Sequence, residues 1–425
     1  MSNEPSEVAD DCPLPQRDQT KNLLLFAACT GLQYLAAPVG YVGVTQASLC
    51  HELGSSDATA NLPETVYLGL TFAPIIFAWL IPYVSWLKRN LMACYATAAL
   101  SQACVVAALV MPLPASVRIA AVIAQAAVAG LVQPSAIAFL WELVARGASG
   151  KKRGVALSMA FGVGPLLAVL GSLGTQLALK GSLGSLQIAG FGFPGNFAVL
   201  YAAAVPAYLI ATMLASQFVV PLPEVEPTRK PFAESVFGGL WDFLRNPLLR
   251  RATLVTLLLY TGNTITSNLN LYSSEVFGES PMLHAGFQNT ARFAFKVVAG
   301  LTLGWLLAKT NPRAGLLATG CLFTGSVLLA TIASAEWYLV VFGVYGAGEL
   351  VGVYAPNYLL SASRKEDMRR NMALVTMMMA PAAPAGYLFG VISDVGGRMF
   401  DKPTGFRISF LTCAAIMIAG ILIAL

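Results

Sequence analysis

The sequence predicts an all-α membrane protein: twelve transmembrane helices in two six-helix halves related by a pseudo-twofold axis. Three observations carry this. The 425-residue chain is 56% hydrophobic and only 11% charged, against roughly 25% charged in a soluble domain. Its apolar residues fall into runs of about 20 or more, the length a bilayer-spanning helix needs. A short segment also recurs half a chain apart. Lys151-Lys152-Arg153-Gly154-Val155-Ala156-Leu157 is matched by Met368-Arg369-Arg370-Asn371-Met372-Ala373-Leu374, 217 residues later. Each copy sits where a basic loop enters an apolar run, as expected of two homologous halves.

The runs are 22–50, 63–87, 91–111, 116–145, 154–179, 197–220, 252–276, 284–308, 314–334, 338–362, 371–394 and 407–425. They are far longer than the roughly ten-residue alternating strands of a membrane barrel. In lipid the remaining solution is the helix. Residues 1–21 read as a polar, disordered cytoplasmic tail without the basic start of a signal peptide. Residues 22–220 form the first bundle and 252–425 the second. Between them, 221–251 is a cytoplasmic linker that opens with four prolines. Phe237, Leu240, Trp241 and Leu244 then recur at helical spacing among charged residues, predicting an amphipathic helix on the membrane surface.

Lys and Arg set the orientation. Alternate loops hold 19 of the 26 basic residues, which puts both termini in the cytoplasm. The net charge of +5 thus reports topology, and nucleic acid is not an expected partner. The seven cysteines are scattered and form no CxxC, so neither a disulfide framework nor a metal site is expected. The two histidines, His51 and His284, are too few and too far apart in sequence to suggest a catalytic triad, and no GxxxxGK[ST] loop is present. The chain reads as no enzyme, without a cofactor or ATP drive. A channel is disfavoured because no pore-lining ring repeats around a symmetric oligomer.

Charges inside the spans are the strongest functional signal, since each costs at least about 2.5–3.5 kcal/mol at the bilayer centre. In the 284–308 run, His284, Gln288, Arg292 and Lys296 recur every fourth residue. They share one helical face in a stripe about 18 Å long. The 338–362 run carries Glu349 behind Tyr345. Arg292 or Lys296 is expected to bind an anionic group of a solute, with Glu349 taking up a proton or pairing with the basic residues between states. The alternative is a static buried ion pair. Two bases to one acid argue against it.

Asn263, Ser267 and Asn268 make the 252–276 run polar, and its outer half is expected to unwind. Gln33 and Tyr34 are the matching polar pair of the first run. Glu142 is expected to pair with Arg146. Gly164 and Pro165, and Pro381 and Pro384, mark expected helix hinges.

Six plus six spans, cytoplasmic ends, a central inner loop and a half-to-half repeat resemble the major facilitator superfamily of secondary transporters. Gly304-Trp305-Leu306-Leu307-Ala308-Lys309-Thr310-Asn311-Pro312-Arg313 is similar to that family's inner-loop signature. Gly304, Leu306, Lys309 and Arg313 fit it, but the latching aspartate is Ala308. Between the second and third spans Lys88-Arg89 remain, while Leu80 and Val84 stand at the glycine and aspartate positions. The family's fourth-span arginine is absent, with Gln125 and Gln133 in that span instead. Gly162, Gly164, Pro165, Gly171 and Gly174 are similar to a motif of drug antiporters.

The resemblance implies alternating access: a monomer in a lipid bilayer moving a small organic solute, with protons or another ion as coupling partner. The expected solute is anionic or zwitterionic. The alternatives are a proton-coupled exporter of amphipathic compounds and a transport-inactive receptor or scaffold of the same fold. Arg153, Arg370, Gly304 and Arg313 mark the expected inner loops.

Overall fold

The computed structural model describes residues 14–40, 43–149, 152, 155–156, 159–188, 190–224, 231–237, 240–361, 377 and 379–425. Arg153 and Arg370, which anchor the repeated segment, lie outside the described residues. The described chain is overwhelmingly helical, and its two strands pair as one small hairpin, Ser182–Leu183 with Leu186–Gln187.

Helices in the first part are α1 (Gln16–Gly40), α2 (Val44–Glu52), α3 (Asp57–Ala60), α4 (Leu62–Gly69), α5 (Ala73–Leu80), α6 (Leu87–Val110), α7 (Ala115–Gly147), α8 (Gly164–Lys180) and α9 (Gly195–Ala215). The linker holds α10 (Leu240–Arg245). Then follow α11 (Pro247–Tyr260), α12 (Thr266–Phe277), α13 (Ala285–Lys309), α14 (Pro312–Ala330), α15 (Tyr338–Gly348), α16 (Val351–Ser361), α17 (Pro384–Met399) and α18 (Lys402–Ala424).

Local chemistry explains the boundaries. The side chains of Asn246, Asn311 and Asp401 accept backbone N–H groups at the starts of α11, α14 and α18, each followed by a proline in the first turn. Asp401 is held below the usual carboxylate range by the hydrogen bonds it accepts from Thr404. Gly181 and Gly278 end α8 and α12 at φ of 76° and 68°, a conformation glycine adopts without strain.

Among the described residues, eight helical stretches are long and apolar enough to cross a membrane: 16–52, 57–80, 84–110, 115–147, 195–215, 312–330, 335–355 and 402–424. The other four expected runs are shorter, broken or charged. Helix α8 has 17 residues. The 252–276 run is divided by a 3₁₀ segment at Thr261–Ile265. Helix α13 carries Arg292 and Lys296, and the 371–394 run begins outside the described residues.

Two expectations need correction. Helix α1 starts at Gln16, inside the stretch assigned to the tail, with Gln19 and Asn22 buried. Asn22 explains the order there: its amide donates to the Gly147 and Val219 carbonyls at 3.2 and 2.8 Å. Beyond the 3₁₀ segment Thr261–Ile265, the outer half of the 252–276 run is not unwound. That half is α12, because its Asn and Ser side chains find partners and the ladder survives. In the linker, α10 lies within the stretch where the amphipathic helix is expected, with Phe237 and Trp241 exposed and Phe243 buried.

Buried side chains form a shared core at the expected outer end, where Val44, Leu49 and Phe197 meet Leu269, Tyr338 and Phe410. Toward the expected inner end the cores are separate. One holds Phe26, Leu91, Leu140 and Phe218; another holds Phe243, Leu249, Leu359 and Met379. Apolar residues such as Leu100, Leu301, Ile332 and Leu422 remain exposed on the outside. Such a surface is excessive in water and ordinary against lipid.

Candidate functional site

Helix breaks position the site. The 338–361 stretch is interrupted where α15 ends at Gly348, and Glu349 sits at that C-cap. Gly346 lets α15 approach the backbone of Arg292 so closely that a Cβ would overlap it. This brings Glu349 onto the charged face of α13.

The Arg292 Nε donates to Glu349 Oε2 at 2.7 Å. Its Nη2 pairs with Oε1 of the same carboxylate, making the contact bidentate. Lys296 Nζ lies 2.8 Å from Glu349 Oε2. The Arg292 and Glu349 side chains are each only 8% exposed. The Arg292 guanidinium also stands 5.3 Å from the Tyr345 ring centroid, within cation–π range. The Tyr345 hydroxyl bonds Thr266 and donates to the Gly262 carbonyl at 3.1 Å, tying α15 to the 3₁₀ segment.

Other expected residues divide by what they touch. Tyr34 packs on Gly164 and lies within electrostatic reach of Glu349. Gln33 is taken by Tyr95, at 2.9 Å. Both line a small cavity of about 110 Å³ with Phe26, Thr30 and Trp141. Asn263 contributes a carbonyl near the Tyr345 hydroxyl, at 3.3 Å. Gln288 is fully buried, and neither end of its amide has a hydrogen-bond partner; the same holds for its neighbour Asn289. Buried amides so placed are expensive unless something else satisfies them.

A second polar group closes the expected outer end across the two halves. Ser267 donates its backbone N–H (3.1 Å) and hydroxyl (2.6 Å) to Glu64 Oε2. Asn268 accepts from the Asn61 amide at 2.6 Å and donates to Ser393 and Ser409, each at 2.9 Å. The Asp394 carboxylate accepts the N–H groups of Asp57 and Ala58 at 3.1 and 3.0 Å. Gln176 on α8 donates to the Leu283 carbonyl at 2.7 Å and accepts the Phe287 N–H at 3.1 Å.

Glu64, Asn61, Asp394 and Gln176 were not singled out from sequence. Glu64 had a visible signal, a carboxylate inside the 63–87 run. At the rim of a run, though, a charge is usually cheap. Its presence offsets the two-bases-to-one-acid imbalance expected from Arg292, Lys296 and Glu349: Glu64 lies within electrostatic reach of Arg292.

The residues expected to act as hinges sit at departures from α geometry. A π-helical turn, Met159–Val163, precedes Gly164 and Pro165, and such turns recur at functional sites. Pro381 lies in a 3₁₀ turn, and Pro384 opens α17. Of the span-5 glycines, Gly171 packs on the Leu35 backbone and Gly164 on Tyr34, while Gly162 and Gly174 face open space. The motif therefore serves partly as helix packing. Glu142 pairs with Arg146 at 2.8 Å, as expected. Gly304 lies within α13, the side chains of 304–308 being outside the description. Arg313 Nε donates to the Ala424 carbonyl at 2.8 Å, capping the end of α18.

With this geometry in hand, the fold has clear parallels among solved structures. A variant of the nucleoside transporter NupG matches at a TM-score of 0.70 and 11% identity, over 94% of this chain and 98% of that one. A bacterial homologue of the human drug peptide transporters PepT1 and PepT2 matches at 0.67 and 14%, over 96% and 97%. A variant of the E. coli fucose:proton symporter FucP matches at 0.61 and 16%, over 96% and 100%. No family model and no curated protein sequence matches the chain. At these identities the likeness is one of fold. The chain shares the fold of these transporters, and among its described residues eight helical stretches are long and apolar enough to cross a membrane.

Proposed function

We propose that this protein is a secondary active transporter moving a small anionic or zwitterionic organic solute by alternating access. The observation that carries the reading is the convergence of Arg292 and Lys296 on one carboxylate, Glu349, beside a helix break. An anionic solute group competes with Glu349 for the two bases. Tyr345 holds Arg292 in place, and Gln288 and Tyr34 supply neutral hydrogen bonds. Displacing Glu349 loosens α15 from α13, which couples binding to movement. In this reading the chain has six spans on each side of the 221–251 linker, both termini in the cytoplasm, and acts as a monomer. The shared core and the hydrogen bonds at the expected outer end support a state closed to the outside.

A thermal-unfolding screen of the purified protein against organic acids and amino acids tests this. A ligand at about 100 times its Kd stabilises by roughly 2.7 kcal/mol. A solute is expected to raise the unfolding temperature of the unmutated protein and leave Arg292→Ala unmoved. A solute that stabilises both equally, at the same concentration, contradicts the assigned site.

A further inference from the structure

We propose that Glu64 is the proton-binding site of this transporter, taking up one proton for each negative charge the solute brings. The inference rests on the transporter reading above and assigns the coupling proton to a residue of the first half.

Geometry carries it. Glu64 is 6% exposed and sits on α4, yet its hydrogen-bond partner Ser267 belongs to the first turn of α12 in the other half. That turn follows the 3₁₀ segment Thr261–Ile265. At a helix start the backbone N–H groups carry partial positive charge and favour an anion. The ionised carboxylate therefore holds the halves together at this level. Among the described residues no lysine, arginine or histidine forms an ion pair with Glu64, whereas Glu349 has two bases upon it. A buried carboxylate held only by neutral donors is the one for which neutralisation by a proton costs least.

The charges then balance in a definite way. With both carboxylates ionised, Arg292 and Lys296 are matched by Glu349 and Glu64. A proton from the outer medium on Glu64 leaves one positive charge unmatched and weakens both bonds from Ser267. A solute with one negative charge restores neutrality at Arg292 and Lys296. After reorientation the proton leaves Glu64 to the inner medium with the solute, and the bonds to Ser267 re-form.

Other ionisable groups surround α4. Tyr67 lies on α4 itself. Asp57 on α3, His51 and Glu52 on α2, and Asp394 on α17 lie toward the outer loops. Tyr260, Tyr345 and Arg292 lie toward the centre. Helix α7 carries only Arg118, Glu142 and Arg146, near its two ends. The test must therefore isolate Glu64.

Spin labels at Leu186→Cys and Met399→Cys, both exposed at the expected outer end, report its opening by double electron–electron resonance in nanodiscs. As pH falls from about 8 to about 5, spanning the range of perturbed carboxylates, the unmutated protein is expected to gain a longer-distance population. Glu64→Gln is expected to show that population at both ends of the range, with the pH response lost. A response that survives Glu64→Gln at the same midpoint overturns the proposal, as does no response in the unmutated protein. If Glu64→Gln fails to fold, Ser267→Ala serves. Losing a donor to the charged form starts the opening at higher pH, and an unchanged onset overturns the proposal. No solute is needed. Failure of the transporter reading, seen in the thermal screen, is thus distinguishable from failure here.

Discussion

Glu349→Ala is expected to lower stability by about 3–5 kcal/mol, the usual cost of removing one partner from a buried charge group, and to abolish solute flux. The cause is specific. Arg292 and Lys296 lie one helical turn apart on α13, and both direct their charge at this carboxylate. Without it, Arg292 and Lys296 both lose the carboxylate they share, and the buried Arg292 guanidinium loses a bidentate contact. Thermal unfolding in detergent and flux in proteoliposomes read the two effects. The companion experiment replaces Arg292, Lys296 and Glu349 together with leucine. Exchanging a whole buried charge group for apolar residues is often neutral or stabilising, so most of the lost stability is expected to return while flux stays absent. Recovery of flux in the triple variant would show that the group is structural only.

Asn268→Ala has the second large effect, on conformation more than on stability. The Asn268 amide joins Asn61 of the first half to Ser393 and Ser409 of the second. Its removal takes a partner from each of Asn61, Ser393 and Ser409; Asn61 and Ser393 keep bonds to the Asp57 and Phe389 carbonyls, while Ser409 is left unsatisfied, at about 1–3 kcal/mol. The penalty falls mainly on the arrangement in which these residues meet. The outward-open population is therefore expected to grow about tenfold or more. A cysteine at Ser273, fully buried in the closed arrangement, reports this by its labelling rate with a membrane-impermeant maleimide added from outside. The rate is expected to rise at least tenfold in Asn268→Ala, and no change would refute the assignment of this cluster to the outer closure.

Much of this was readable in the sequence, and the rest has physical reasons for being hidden. Apolar run length marked most helices because lipid demands internal hydrogen bonding of every helix. Arg292, Lys296 and Glu349 stood out because charge inside such runs is rare. Sequence did not show that both bases share one acid, since the approach depends on Gly346 meeting the Arg292 backbone of another helix. By itself the polarity of 263–272 suggests local unwinding. Its cause is a partner across the interface, which one helix's pattern cannot reveal. Glu64 escaped for the same reason: its importance lies in meeting Ser267, 203 residues away.

Solute is expected to pass because the expected outer end opens and closes. Glu52 on α2 and Ser280, before α13, touch across the halves at that rim. Cysteines at both positions can be bridged by a bis-methanethiosulfonate reagent and released by reductant. In proteoliposomes, flux of the solute identified by the thermal screen is predicted to stop on bridging and return on reduction, with either single-cysteine variant unaffected. Flux that continues at the unbridged rate through a fully bridged protein would contradict alternating access through this end.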